Sequence, residues 1–523
     1  MFSDLAGDKI ANIGSSFPCV GPDETGHYLL IQYLDKWTVI QVTSEIAAGQ
    51  FFDELIKADG RARPGADSLL NFLKDLSPEV LSEKRTALEA AIKSQGISFL
   101  VYSDSMNIDR SWPLDLVPRV MRASEWLHPE RGLKQRLKAL NLFLNDVYND
   151  QLVIRDGIVP EELVTESPHF IELACGVRPP FDTWAHVCGS DLVRDHTGKL
   201  FVLEDNLRVP SGVSYMLENR SVMKQVYPEL FRNHQILPVS QYASDLLDML
   251  NALSPRPVDH PVIVVLTPGI YNSAYFEHSY LAQQVGAELV QGSDLFVDTD
   301  DCVYMKAVEG VSRVDVIYRR IDDTFLDPES LNPDSVLGVP GLMRAWRAGK
   351  VAIANAPGSG VADDKVLYAY VPEIIRYYLG EEPLLQNVPT YLCSDPEQRA
   401  YVLDHMDELV VKPADASGGY GIIVGPHATD EDLVSRRAEI LENPRVWIAQ
   451  PTLAISTTLT VTDVGDLVPR HVDLRPFVLQ SSDQWCSAGG LCRVALKEGS
   501  LVVNSSQGGG SKDFWVVADE GLV

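Results

Sequence analysis

The stretch DLVRDHTGKLFVLEDNLRVPSG, from Asp191 to Gly212, limits what this chain can build more than any other. Two strand-like apolar runs flank Asp195-His196-Thr197-Gly198, a turn-forming cluster, so the segment reads as a β-hairpin. Pairing of Arg194 with Lys199 puts Asp191, Glu204 and Asn206 on one face, because side chains alternate along a strand. Two carboxylates and an amide oxygen presented together suit a hard cation such as Mg²⁺, which takes oxygen ligands and commonly arrives bound to phosphates. The segment best suited to hold those phosphates lies far downstream, at 412–421, so the fold must bring two distant pieces together.

A chain of 523 residues exceeds one ordinary core, and two or three domains are expected. The apolar fraction of 45% fits a globular protein. With 44 basic against 73 acidic residues the net charge is -29, which repels nucleic-acid phosphates and anionic lipid. Neither nucleic acid nor membrane is therefore an expected partner. The opening MFSDLAGDKIANIGSS lacks the charged start and apolar centre of a secretory signal, and no apolar run approaches the length of a membrane span. Seven cysteines without CxxC spacing sit in surroundings such as LACGV, which predicts buried, reduced thiols and a cytoplasmic protein.

Along the chain, residues 1–50 form an N-terminal extension whose YLLIQYLDKWTVIQVT predicts a hairpin over 28–42. Residues 51–257 combine helices with the Asp191 hairpin. SPEVLSEKRTALEAAIKSQG has Ser77 as N-cap, Pro78 in the first turn and Gly96 as the stop. GLKQRLKALNLFLNDVYND places Leu133, Leu137, Leu140, Leu144 and Val147 on one apolar face. LENRSVMKQVYPELF continues as helix. The polar SPRPVDH marks a boundary, and strand-helix alternation through PVIVVLTPG, AYFEHSYLAQQVG, ELV and VDVIYRRID predicts an open α/β domain over 258–356. Ligands of such sheets bind beyond the carboxyl ends of strands, which makes Asn272, Tyr275, Glu277, His278, Arg319, Arg320 and Asp322 candidates for a substrate cleft. Individually each fits a surface or capping role equally well. Residues 357–455 carry a glycine loop, and 456–523 close the chain with further strands, among them VWIAQP, HVDLRPFVL, GLCRVAL and SLVVNSSQGGG.

In VVKPADASGGYGIIVG, Ser417, Gly418, Gly419 and Gly421 lie between two apolar strands, where a loop can fold over a ligand with its N–H groups pointing inward. A plain hairpin turn explains the glycines as well. Lys412 is more telling, since it ends an apolar strand directly before proline and a phosphate would justify it. No GxxxxGK[ST] occurs, which disfavours P-loop enzymes. Lys365 begins a helix after a Gly-rich segment and is a second candidate cation. IAQPTLAI is a candidate adenine-holding strand, with Gln450 and Leu453 lining it. Arg475 and Arg493 lie inside apolar strands, where each needs an anion or a buried carboxylate, and Asn504 adds an amide oxygen before a flexible turn.

Together these segments resemble the ATP-grasp superfamily, specifically its circularly permuted type 2 branch, which is related to the synthetase lobe of glutathionylspermidine synthetase. DLVRDHTGKLFVLEDNLRVPSG is similar to the metal hairpin, with Asp191 followed thirteen residues on by Glu204-x-Asn206. VVKPADASGGYG is similar to the lysine strand and glycine loop, and RPFVL, CRVAL and SLVVNSSQGGG to strands that in unpermuted ligases lead into that hairpin. The likeness runs from FFDEL at 51 to SKDFWV near 516. It implies an α/β, circularly permuted ATP-grasp fold with an open α/β pre-ATP-grasp domain, in which 357–455 is the lid. The chain departs from the branch at Ala416, Thr458, Cys492 and Phe514 and in its extra N-terminal hairpin, which points to a particular acceptor or protein partner.

The resemblance implies an ATP-dependent carbon-nitrogen ligase that joins a carboxylate or peptide to a small-molecule amine or amino acid through an acyl phosphate. Glu204 would bridge two Mg²⁺ ions, with Asp191 and Asn206 completing their protein ligands. Lys365 and Lys412 would hold phosphates of ATP under the 417–421 loop. Relatives place an arginine two residues before the metal aspartate; here that position is Gly189, and Arg493, then Arg194 and Arg208, are the candidate replacements. No nucleophile or general base is required. A kinase of the same fold and a nucleotide-binding scaffold without turnover are the alternative readings. In every case Asp191 and Glu204 are expected to face Lys412 and Arg493 across one cleft.

Overall fold

The computed structural model of the chain describes residues 50–103, 106–233, 235–308, 310–414, 421–462, 465–503 and 509–519, and the expected N-terminal hairpin lies outside them. A seven-stranded sheet organises the molecule. In spatial order its strands are Gln386–Asn387, Leu200–Asn206, Val187–Arg194, Arg475–Gln480, Gln484–Val494, Gly510–Val517 and Leu114–Arg122. The last three strands of the chain are thus inserted between strands from its first half. Val187–Arg194 pairs antiparallel with Arg475–Gln480, and Gly510–Val517 pairs parallel with Leu114–Arg122.

Strand alternation divides the side chains of this sheet between two cores. Val478, Phe514 and Val516 join one, around the helix Ala123–Val147. Phe477, Leu479, Trp515 and Val517 join the other, under the helices Val213–Val226 and Tyr242–Ala252. The helix Ala123–Val147 buries Leu133, Leu137, Leu140, Leu144 and Val147 as its periodicity predicts, and it begins earlier than that pattern, running through Pro129. The helix Pro78–Ser94 is capped by Ser77 as expected, and Gly96 turns the chain at φ +65°.

A four-stranded parallel sheet, Ala352–Ala354, Val316–Arg319, Ile263–Leu266 and Glu288–Val290, has the expected α/β crossover through the helix Tyr275–Val285. The antiparallel strands Leu295–Val297, Val303–Ala307 and Gly310–Val314 beside it were not anticipated. Another four-stranded sheet, Tyr391–Leu392, Trp447–Pro451, Leu409–Pro413 and Ile423–Val424, has its own small core around Val402, Val411, Ile440 and Ala449. SLVV is not a strand: residues 500–503 are irregular and the next described strand starts at Gly510. Among the described residues no helix is long and apolar enough to cross a membrane.

The parallel junction of the sheet is pinned by a fully buried lysine. Lys512 Nζ donates to Asp115 Oδ1, to Leu459 O at 2.8 Å and to Val117 O at 3.1 Å, while Asp115 also accepts from the N–H of Val117 and Val461. Removing one partner of such a pair strands the other charge. Lys512→Met is expected to lower stability by about 3–5 kcal/mol, read as a fall in the urea midpoint.

Candidate active site

The Asp191 hairpin closes through its expected turn. Asp195 Oδ1 accepts from Thr197 N, Thr197 Oγ1 and Lys199 N, and Gly198 takes φ +91°. The register differs from expectation: Arg194 opposes Leu200, not Lys199. By alternation alone that shift would turn Glu204 away from Asp191. One extra residue, Leu203, between the Leu192–Val202 and Asp191–Glu204 pairs restores it, so Asp191 and Glu204 are Cα partners. Asn206 opposes Gly189 and donates its amide N–H to Gly189 O at 3.0 Å.

The neighbouring strands supply two arginines. Arg475 grips Asp191 with Nε and Nη2, the latter at 2.8 Å, and Arg493 Nη2 lies 2.5 Å from Asp191 Oδ2. These guanidinium groups hold Asp191 well below the usual carboxylate range, overcoming the upward push of burial. Glu204 is more open: Lys365 Nζ stands at 3.7 Å and Arg475 Nη2 at 3.8 Å. A Cβ on Gly189 would stand 3.1 Å from Arg475 Cδ and 3.3 Å from the Phe477 ring. Arg475 therefore occupies the space in which a side chain at position 189 would lie.

Across from these groups the strand Leu409–Pro413 contributes Lys412, whose Nζ donates to Gln450 Oε1 at 2.7 Å, while Gln450 Nε2 donates to Thr390 Oγ1 at 3.0 Å. Burial lowers Lys412 to about 8, against the raising effect of Glu204. Asp191, Glu204, Lys365, Lys412 and Arg493 line one cavity of about 160 Å³, whose apolar lining is formed by Val388, Val410, Ile422, Val424, Leu453 and Ile455. Leu501, Val502 and Val503 add to that wall from the irregular segment read as strand. Gly421, at φ +71°, leads into Ile422. Ser417, Gly418, Gly419 and Asn504 lie outside the described residues.

Other candidates are engaged elsewhere. Arg194 emerges from the opposite strand face to Asp191 and pairs with Glu54 at 3.1 Å and Glu125 at 2.7 Å. Arg208 pairs with Asp363 at 2.7 Å and with Asp322 at 3.2 Å. Neither lines the Asp191 cavity. Arg319 is buried against Asn355 O, Ile321 O and Asp323. His278 is buried on Thr267 Oγ1, and burial holds its imidazole well below its ordinary range. Glu277 accepts from Gly212 N, Ser214 N and Ser214 Oγ on one oxygen and from Arg320 on the other, and Arg320 also donates to Pro210 O. These four side chains are internal joints and do not face an open cleft. Asn272 and Tyr275 line a separate cavity of about 300 Å³ with Ser98 and Phe276.

Sequence reasoning missed Asp473. It lines the Asp191 cavity and is clamped to Arg493, whose Nε lies 3.0 Å from each of its oxygens. The signal was present in HVDLRPF, where an aspartate two residues before Arg475 shares its strand face.

Comparison with known proteins agrees with this geometry. Residues 118–495 match the family described as circularly permuted ATP-grasp type 2. An uncharacterized protein of Synechocystis sp. is 55% identical over 471 residues, 90% of this chain and 97% of that protein. A Frankia alni protein named "Putative glutamate--cysteine ligase 2-3" is 45% identical over 89% of this chain, which spans 54% of that relative. The structure of a glutathione synthetase-like effector from Globodera pallida shares the fold at TM-score 0.56 and 12% identity, covering 85% of this chain and 98% of that one. With hairpin and arginine strands reunited in one sheet and the lysine strand of another sheet meeting them at one cavity, the chain belongs to the circularly permuted ATP-grasp type 2 family.

Proposed function

We propose that this protein is an ATP-dependent carboxylate-amine ligase that forms an amide or peptide bond through an acyl phosphate, with an amino acid and a peptide as a candidate pair. The observation that carries the reading is the cavity itself, whose lining combines the charged Asp191, Glu204, Lys365, Lys412 and Arg493 with apolar side chains such as Val410, Ile422 and Leu453. Family membership and the Frankia relative's name support an ATP-dependent ligase in general terms. Because the chain spans about half of that relative, the name does not assign the glutamate-cysteine reaction to the shared half.

The donor set fits Mg²⁺. Asp191 and Glu204 are paired across the hairpin, and Asn206 commits its amide N–H to Gly189 O, keeping its oxygen as a donor. Asn206 Oδ1 would be the third protein ligand beside the two carboxylates. Bound there with ATP, the ion would offset charge on the transferring phosphoryl group. Lys412 and Lys365 would hold phosphate oxygens, Gln450 and Leu453 would line the adenine end, and Arg475 and Arg493 would face the reacting carboxylate and γ-phosphate.

In the proposed reaction a carboxylate oxygen attacks the γ-phosphorus and ADP leaves. The amine then attacks the acyl carbon, phosphate departs, and the amine proton passes to the departing phosphate. The side chains contribute mainly positioning and charge neutralisation, which is what phosphoryl transfer requires.

Incubation with ATP, Mg²⁺, a peptide library and pooled amino acids is expected to give a peptide product heavier by one residue less water. ADP release without an amine-dependent product would sink the ligase reading. Glu204→Gln is expected to lower Mg²⁺-dependent ATP turnover by at least about 100-fold while leaving the fold intact by circular dichroism. Lys412 is a cation below about 8 and loses its charge above it, so ATP affinity is expected to fall as pH rises through 8. In Lys412→Arg that pH dependence should vanish, as followed by calorimetric ATP titration between pH 7 and 9.5.

A further inference from the structure

Asp191 has no free oxygen. Arg475 Nε takes one, while Arg475 Nη2 and Arg493 Nη2 share the other. Three N–H groups thus fill three of the roughly four acceptor positions of this carboxylate, both of those on Oδ2 among them, so a cation can draw on Oδ2 only by displacing an arginine. The two arginines are not equally able to yield. Among the described residues the carboxylates that form ion pairs with Arg475 are Asp191 and Glu204, both members of the proposed cation set. Arg493 has a carboxylate outside that set, Asp473, and is tied to it twice over.

The side-chain tie runs from Arg493 Nε to both Asp473 oxygens at 3.0 Å and from Nη2 to Oδ2. The main-chain tie consists of Asp473 N donating to Arg493 O at 3.1 Å and Arg493 N donating to Asp473 Oδ1 at 3.2 Å. Asp473 is only 1% exposed, so it has no freedom to swing away. An arginine buried without a carboxylate would be costly, and Asp473 removes that cost when Asp191 lets go.

We propose that Asp473 is a positioning residue: it lets Arg493 release Asp191 to the metal ion while keeping the guanidinium aimed into the cleft. The proposal rests on the ligase reading given above. Without Asp473, Arg493 would have Asp191 as its remaining carboxylate and would compete with the cation for it. Asp473 thereby sets metal affinity without touching the metal.

The test is binding of Mn²⁺ to protein held saturated with a non-hydrolysable ATP analogue in every variant, so that loss of the Arg493 contact with nucleotide does not enter, with free Mn²⁺ read from its paramagnetic resonance signal. Asp473→Asn is expected to weaken Mn²⁺ binding by about tenfold or more, the range for residues that orient a ligand. The double variant Asp473→Asn/Arg493→Gln removes the competitor as well and is expected to bind Mn²⁺ at least as tightly as the wild type. It strands no lone charge, so it remains informative where the single variant fails to fold. Unchanged affinity in Asp473→Asn overturns the proposal alone. A double variant as weak as the single one would make Asp473 a metal ligand and also overturns it. Absence of Mn²⁺ binding in the wild type would instead bring down the ligase reading, and this proposal with it.

Discussion

The buried pairing of Asp191 with Arg475 and Arg493 is the contact on which the architecture turns. The partners are 284 and 302 residues apart in the chain. Each arginine sits within an apolar strand, and a guanidinium there is tolerable only where a carboxylate meets it. The hairpin that carries Asp191 comes early and the arginine strands come last. The sheet can satisfy all three charges only by inserting its C-terminal strands beside the hairpin, which is the observed order. The permutation moves the chain ends without moving the charges. Gly189 belongs to the same arrangement, because a side chain there would press on Arg475 and the Phe477 ring.

The two carboxylates of the hairpin are in different states although they face each other. Asp191 is 1% exposed and fully engaged, whereas Glu204 keeps 28% of its side chain open and meets cations only at 3.7 and 3.8 Å. Glu204 is thus the more accessible carboxylate, and Asp191 the one whose availability depends on its neighbours. Behind the sheet, Asp205 accepts from Arg136 at 2.7 Å and from Ser190 at 2.7 Å, fixing the strand that presents Glu204 and Asn206. Three consecutive residues therefore divide between the site and its support.

Much of this was legible in the sequence because alternation is a strong constraint. Lys412, Gln450 and Leu453 meet in one cavity as strand patterning suggested, and Arg493 joins Asp191 there. The hairpin face was read correctly from a wrong register, since the shift at Arg194–Leu200 is cancelled by the extra residue at Leu203. Bulges of this kind leave no sequence mark beyond the strand itself. Arg194 and Arg208 were misplaced for a different reason. An arginine in an apolar context announces a carboxylate but not which one, and Glu54, Glu125, Asp322 and Asp363 lie too far along the chain to be paired by inspection.

The misreading of Glu277 and Arg320 exposes how the α/β unit is used. Its strands run in spatial order Ala352–Ala354, Val316–Arg319, Ile263–Leu266, Glu288–Val290, so the chain reverses direction across the sheet between Ile263–Leu266 and Val316–Arg319. A crevice at such a reversal is where open α/β sheets ordinarily take their ligands. Here Arg320, from the end of one strand, and Glu277, from the crossover helix, instead hold the chain's own Pro210, Gly212 and Ser214. Those residues directly follow the hairpin that ends at Asn206. The crevice has thus become a joint that fixes the exit of the hairpin, and with it the angle at which Glu204 and Asn206 enter the cleft.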